Sequence, residues 1–274
     1  MVDSPQTFSH FPALPAPPCA GLRLTVVPAH ECPYLPDRVA ASRAVWVGSM
    51  TAELYHDFMD AGFRRSGRLL YQPVCAGCRE CRSIRVPVER FTPSKAQRRC
   101  RRRNSDLRVT VGRPVSTREK FDLYRRYVAG WHGKQRETRG EFDSFLYDSP
   151  VDTIEFCYRE AASGALLAVG ICDVCTRSLS SVYFYFDPAH ARRGLGTFGA
   201  LVEIEQARAL GVAHYYLGYL VRGCASMSYK SSFRPNQVLD TDGVWRESAP
   251  PRATTPSPSP RAQTGPAEER EGIA

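Results

Sequence analysis

No stretch of this chain approaches the roughly 20 consecutive apolar residues that a membrane-spanning helix needs, so no span is expected. The amino terminus, MVDSPQTFSHFPALPAPPCAGL, lacks a basic start and a continuous apolar centre, which argues against a secretory signal and for a cytoplasmic chain. No internal repeat recurs. The triphosphate-loop spacing GxxxxGK followed by Ser or Thr is missing, and so is the dinucleotide fingerprint GxGxxG. Residues 1–20 are rich in proline and lack periodicity, so they read as a disordered arm. The end of the chain, 248–274, has no aromatic residue and much proline. It cannot bury enough apolar surface to offset its ordering entropy, and it reads as a disordered tail.

What is present is a chain of 274 residues, 43% of them hydrophobic, which is ample for a core between residues 21 and 247. The formal charge of +9 is compatible with a polyanionic partner. Ten cysteines in a reducing compartment are not expected to be disulfide staples. They are buried small residues, reactive thiols or metal ligands. Gly112–Pro114 is a natural seam that divides an amino-terminal region, 21–111, from a second region, 112–247.

Short apolar stretches at Leu22–Val27 and Val45–Val47 open the folded part. A helix is expected over Met50–Ala61, with Ser49 as cap, Gly62 as stop, and Met50, Leu54, Phe58 and Ala61 as its apolar stripe. Strands fit Arg68–Gln72 and Ser83–Val88. Thr92-Pro93 looks like the start of a helix carrying Lys95, Arg98, Arg99, Arg101, Arg102 and Arg103. Ser116 and Glu119 match a capping box ahead of a helix with Phe121, Tyr124 and Val128 on one face. Three buried strands are expected at Thr153–Arg159, Leu166–Val174 and Leu179–Phe186. A helix over Leu195–Leu210 and a strand at Ala213–Gly218 follow.

Two clusters point to chemistry. The run Arg192-Arg193-Gly194-Leu195-Gly196 follows an aromatic strand and opens a helix. Glycines there let a ligand approach the backbone, and amides at the helix start suit an anion. The same run also fits a tight turn before a helix. Its RxGxG form after a central strand resembles the acyl-CoA loop of the GCN5-related acetyltransferases. The second cluster is CxxCxxC at Cys75, Cys78 and Cys81, with Cys32 as a distant fourth thiolate. Four thiolates suit zinc or an iron–sulfur cluster. Plain packing and thiol redox behaviour are the alternatives. Cys157, Cys172 and Cys175 form a looser group that buried cysteines explain equally well.

A wider resemblance rests on motifs in both halves. They are Cys32-Pro33-Tyr34-Leu35-Pro36, Gly62-Phe63-Arg64-Arg65-Ser66-Gly67, Tyr71-Gln72-Pro73, the cysteine trio, Phe91-Thr92-Pro93-Ser94, Gln97-Arg98-Arg99 and Asn104-Ser105-Asp106-Leu107. Beyond the seam come Gly218-Tyr219, Cys224, Met227-Ser228-Tyr229-Lys230 and Phe233-Arg234-Pro235. Together they resemble the bacterial aspartate/glutamate leucyltransferases of the arginyl-tRNA–protein transferase family, over about residues 30–240. The resemblance implies an α+β fold. Its catalytic region would be a mixed sheet with flanking helices like that of the GCN5-related acetyltransferases, joined to an amino-terminal cysteine-containing α+β region. It implies an aminoacyl-tRNA co-substrate, and acceptor proteins with amino-terminal Asp or Glu that are marked for N-degron degradation. Leucine is the expected donor residue, with arginine the alternative. A monomer is expected. Relatives in the arginyl branch imply an iron–sulfur cluster at amino-terminal cysteines.

The implied reaction is aminolysis of an ester by an α-amine, which needs positioning and oxyanion stabilisation but no covalent intermediate. Tyr219, Ser228, Tyr229 and Lys230 are the candidate helpers, and Lys230 either neutralises a tRNA phosphate or pairs with the acceptor carboxylate. Arg64, Arg65, Arg79 and Arg82 are candidates to hold that carboxylate, because arginine offers a bidentate fork. Arg192, Arg193, Gly194 and Gly196, together with Lys95, Arg98, Arg99 and Arg102, are the candidate tRNA contacts. Cys224 reads as structural. Trp131-His132 stands where many bacterial members carry an arginine-histidine pair, which bears on acceptor or amino-acid preference. Two competing readings are a CoA-dependent acetyltransferase and a zinc-stapled RNA-binding module.

Overall fold

The computed structural model describes residues 23–132 and 138–249; the side chains of Trp131 and His132, the arm 1–20 and almost all of the tail lie outside the described residues. A small antiparallel sheet has the order β1-β2-β4-β3, built from β1 (Thr25–Glu31), β2 (Val39–Trp46), β3 (Arg64–Ser66) and β4 (Leu69–Pro73). The large sheet has eight strands in the order β12-β11-β5-β10-β9-β8-β7-β6. They are β5 (Arg82–Pro87), β6 (Leu107–Gly112), β7 (Thr153–Glu160), β8 (Leu166–Val174), β9 (Ser178–Phe186), β10 (His214–Leu220), β11 (Gln237–Leu239) and β12 (Trp245–Glu247). Within it β10 and β9 are parallel, and the other pairs are antiparallel. The seam at 112–114 thus falls after β6, and β5 and β6 on its amino-terminal side belong to the sheet whose other strands lie beyond it.

The principal helices are α1 (Ala52–Asp60), α2 (Lys95–Arg103), α3 (Arg118–His132) and α5 (Leu195–Ala209); α4 (Arg139–Phe142) and α6 (Ala225–Ser228) are single turns. Helix α5 begins at Leu195 as expected, whereas the starts of α1, α2 and α3 differ from expectation by one or two residues. Thr51, not Ser49, caps α1 by accepting the Leu54 N–H. Ser94, one residue past the proline, caps α2 in a reciprocal box with Gln97. Thr117 Oγ1 accepts from the Lys120 N–H at 3.3 Å, while Ser116 turns to Asp143 instead. In each case a cap works only when its oxygen reaches the second or third helical amide, and that distance selects one hydroxyl among neighbours.

Alternation along β9 places helices on both faces of the large sheet. Tyr183 and Tyr185 meet Tyr124 of α3, while Phe184 lies against Gly199 of α5. This is the mixed sheet with flanking helices that was expected. The main core gathers β5 and β7–β10 with α3 and α5. A second core of Val45, Tyr55, Phe58, Met59, Phe63, Leu70 and Tyr216 joins the small sheet and α1 to it. Among the described residues no helix is long and apolar enough to cross a membrane.

Candidate active site

The parallel pairing of β9 and β10 covers only Ser178–Ser180 against His214–Tyr216. Beyond it the two strands run on, to Phe186 and Leu220, without pairing each other. Irregularities flank the opening. On β9 the register with β8 steps from Ser181 to Tyr183 and leaves Val182 without a partner. On β10 the register with β5 steps from Tyr216 to Gly218. Gly218 has φ +87°, a conformation that L side chains rarely adopt. Parted strands leave backbone groups that need other partners. Arg64 Nη2 donates to the Ser181 carbonyl on one side, and Lys230 Nζ donates to the Tyr219 carbonyl at 2.9 Å on the other.

The expected helpers divide accordingly. Lys230 lies in the opening, buried in the short turn Tyr229–Ser232. Burial first, and then the Arg64 charge, lower its ammonium to about 7. Tyr219 contributes its backbone there, but its hydroxyl donates to the Gly62 carbonyl at 3.1 Å. Ser228 and Tyr229 are exposed; Ser228 Oγ donates to Ala225 O at 2.8 Å, and Tyr229 packs edge-on to Phe233. Ser228 stays at the surface, whereas the Tyr229 hydroxyl is an electrostatic neighbour of Tyr127 on α3 and Glu203 on α5.

The four candidate arginines also separate. Arg64 crosses from β3 to β9, with Nη1 donating to Ser180 Oγ at 3.0 Å. Arg65 is fully engaged: Nε and Nη2 hold both Asp173 oxygens at 2.6 and 2.7 Å, and Tyr55 and Thr153 donate to the same carboxylate at 2.6 and 2.8 Å. That internal acid occupies the fork expected to meet a substrate. Arg79 Nη1 donates to the Cys75 and Cys78 carbonyls, and Arg82 reaches Leu239 O and Asp240. Both line a cleft with Gly62, Gln72 and Ser83, where Ser83 Oγ is buried without a hydrogen-bond partner among the described residues.

The cysteine loop departs from the expected ligand set. Cys75 Sγ accepts from the Ala41 N–H at 3.4 Å and faces the Ala41 carbonyl at 3.6 Å, so it is engaged by backbone. Burial, reinforced by the Cys75, Cys32 and Cys78 thiols, pushes Cys81 up to about 12. The four thiols therefore share a neighbourhood. Yet among the described residues no group of three or more His, Cys, Asp or Glu side chains is arranged to hold a metal ion. The residues as placed do not fit zinc or an iron–sulfur cluster.

On the α5 side, helix α2 seats itself on the glycine loop. Cys100 Sγ lies 3.3 Å from where a Gly194 Cβ would project, and Asn104 Nδ2 donates to Arg193 O at 3.0 Å. Arg193 is tied inward, its Nε donating to Asn104 Oδ1 at 3.0 Å and its Nη2 pairing with Asp106. Gly194 needs its glycine for φ +71°, whereas a side chain at Gly196 would meet open space. Arg192 is exposed beside the loop, and Lys95, Arg98, Arg99 and Arg102 all face solvent. The cations of α2 thereby extend the charge at the start of α5.

Comparison with known proteins gives this arrangement a family. The profile described as "Arginine-tRNA-protein transferase, C terminus" matches residues 119–240, and the one described as "Arginine-tRNA-protein transferase, N terminus" matches residues 30–99. The chain belongs to the arginyl-tRNA–protein transferase family. A relative from Halorhodospira halophila, named aspartate/glutamate leucyltransferase, is 40% identical over 79% of this chain and 93% of its own length. One of the same name from Stenotrophomonas maltophilia is 40% identical over 80% and 90%. Among solved structures, L-PGS from Bacillus licheniformis is similar with a TM-score of 0.45 at 15% identity, covering 71% of this chain and 62% of that one. FemX is similar with a TM-score of 0.41 at 10% identity, covering 64% and 61%. Sequence reasoning about this family member gave no role to Tyr34, Tyr71, Val182 or Glu203. Tyr34 and Tyr71 belong to the motifs Cys32-Pro33-Tyr34-Leu35-Pro36 and Tyr71-Gln72-Pro73, and the aromatic residue in each was the available signal.

Proposed function

We propose that this chain transfers leucine from leucyl-tRNA to the amino-terminal Asp or Glu of acceptor proteins, marking them for N-degron degradation. The observation that carries this reading is the likeness to aspartate/glutamate leucyltransferases across nine-tenths or more of those relatives' length. The acceptor's neutral α-amine attacks the ester carbonyl carbon. The C–N bond forms, the C–O bond to the tRNA ribose breaks, and the amine proton leaves with the ribose oxygen. An α-amine of ordinary pKa, about 7.7 to 8.0, is partly neutral at physiological pH, so positioning does most of the work.

The opening between β9 and β10 is the reaction centre in this reading. The Val182 amide, skipped in the strand register, is the donor to the oxyanion. Lys95, Arg98, Arg99, Arg102 and Arg192 neutralise tRNA phosphates, and the start of α5 at Gly194 takes the phosphate nearest the ester. Arg193 serves instead to fix the loop to α2.

The test is single-turnover transfer of labelled leucine from leucyl-tRNA to an Asp-leading peptide, with arginyl-tRNA run in parallel. Leucine on the peptide amine is the expected product. Arginine alone on the peptide would replace the donor assignment. A peptide that acquires neither label would overturn the reading.

A further inference from the structure

Buried cations in proteins are paired, because leaving water is costly for an uncompensated charge. The buried cationic side chains among the described residues, besides His56, are Arg64, Arg65, Lys120 and Lys230. Arg65 has Asp173 and Lys120 has Glu155, both acids buried too. Arg64 and Lys230, only 7% and 8% exposed, have no acid partner among the described residues. They also converge. A Cβ on Gly218 would lie 3.4 Å from Lys230 Nζ and 3.6 Å from Arg64 Nη2, so both cations border the space that the glycine leaves open.

Their donors are not exhausted. A guanidinium carries five N–H groups and an ammonium three. Arg64 uses Nη1 on Ser180 and Met59 and Nη2 on Ser181, and Lys230 uses one proton on Tyr219. Two tyrosines complete the rim. Tyr71 is the cross-strand partner of Arg64 between β3 and β4, hence on the same face, and its ring meets Tyr219 edge-on at 6.3 Å. Tyr34 sits in the turn after β1, which reaches the end of β10 where Leu35 lies 3.4 Å from a Cβ built on Gly223. The Tyr34 hydroxyl is an electrostatic neighbour of Tyr71, Cys81, Arg64 and Cys224. Both rim tyrosines are half-buried, and neither hydroxyl has a hydrogen-bond partner among the described residues.

We infer that Arg64 and Lys230, rimmed by Tyr34 and Tyr71, form the site that binds the side-chain carboxylate of the acceptor's amino-terminal residue. This rests on the transfer reading above and names the group that selects its acceptor. One small planar anion can accept from both cations at once and from either phenol. A phosphodiester has its own cations on the exposed face of α2, whereas Arg64 and Lys230 are buried. A carboxylate held at Gly218 also places the neighbouring α-amine at the opening, where the ester must arrive. The same site fits Asp and Glu because the two acids differ by one methylene, and it gives Asn or Gln no charge to compensate.

Lys230 adds a pH signature. The groups around it are Arg64 on β3, Tyr71 on β4, Tyr219 on β10, and Tyr34, Cys81 and Cys224 in the flanking loops. Without ligand its proton is lost through about pH 7, and an incoming carboxylate favours the protonated form. Preference for Asp over Asn should therefore be greatest below pH 7 and decline above it. Taking the ratio of the two peptides removes the α-amine titration, which both share.

The experiment measures kcat/KM for peptides leading with Asp, Glu, Asn and Ala, using the full chain with Lys230→Met, Arg64→Lys and Tyr34→Phe/Tyr71→Phe. Thermal unfolding is followed in parallel, and the tyrosine variant keeps both cations in case a cation variant fails to fold. In Lys230→Met the Asp-to-Asn ratio should fall roughly 10–100-fold, chiefly through KM, and its decline above pH 7 should vanish. The tyrosine variant should lower the ratio several-fold. If the folded variants slow Asp and Asn peptides equally, the cations serve the donor phosphate or the oxyanion and the inference is wrong. Absence of transfer by the unaltered chain would instead strike the transferase reading itself.

Discussion

Arg64 and Arg65 are adjacent in sequence, buried alike, and opposite in circumstance. They project from the two faces of the short strand β3. On one face Arg65 meets Asp173 in a bidentate pair that Tyr55 and Thr153 also support. On the other face Arg64 finds hydroxyl, thioether and carbonyl partners, and a second cation in Lys230. The Arg65 face is finished by folding. The Arg64 face keeps an uncompensated charge that only a ligand can meet. Glu203 on α5 shows a third outcome. Burial pushes its carboxyl up to about 7, against the hydrogen bond that it accepts from Tyr215, so it answers isolation by keeping its proton. Buried charge in this fold is thus handled by a partner, by a proton, or by the substrate.

The sharpest way to break the contrast is to make the two faces alike. Asp173→Asn leaves Arg65 buried without its anion. Removing one member of a buried pair typically costs about 3–5 kcal/mol, and that loss should appear as a lower midpoint in urea unfolding. The Asp-to-Asn acceptor ratio of the remaining folded protein should stay as it was. A mild stability change, or a shift in acceptor ratio, would mean that the two faces are not separate in function.

Glu203→Gln tests the proton-keeping case, with an effect of opposite sign. The folded pKa, about 7, lies above the ordinary carboxyl value near 4.5, so the carboxyl's stabilising contribution is full below pH 4.5 and lost as pH rises through 7. Glutamine has no such loss. The variant should match the parent near pH 4.5 and exceed it by about 3 kcal/mol above pH 7.5, as read by urea unfolding across the pH range. Equal stability at both ends would show that Glu203 has a partner when ionised.

Much of the scaffold behind these contrasts was legible in the sequence. Strands β7, β8 and β9 and helix α5 stand out because their apolar runs are long and their burial is deep. Strands β3, β11 and β12 are three residues each, too short for alternation to register, and β6 is an edge strand whose residues are half-buried or exposed. The site was legible in kind rather than in detail. Arginines at 64 and 65 look equivalent in sequence, and what separates them is an acid 108 positions away. Ser228 and Tyr229 share a motif with Lys230, but among them only Lys230 reaches the Tyr219 carbonyl. The CxxCxxC spacing named a ligand set that the described residues do not assemble: the four thiols are neighbours, but no three such side chains are arranged around one metal position.

The smallest expected effect belongs to cations that need no ligand to be stable. Arg99 and Arg102 on α2 are exposed and already solvated, so their removal should leave folding unchanged. Arg101 and Arg103 are different, since they bind Glu205 and the Arg192 carbonyl and hold the helix to α5. Arg98→Ala/Arg99→Ala/Arg102→Ala should weaken charged tRNA roughly tenfold near physiological salt and flatten the log–log salt dependence by about 2. The Asp-to-Asn ratio should not move, because that ratio is set by the buried Arg64 and Lys230 and not by this exposed face. If the triple variant alters acceptor choice while its tRNA affinity and salt slope stay put, then the exposed and buried cations have been assigned to the wrong substrates.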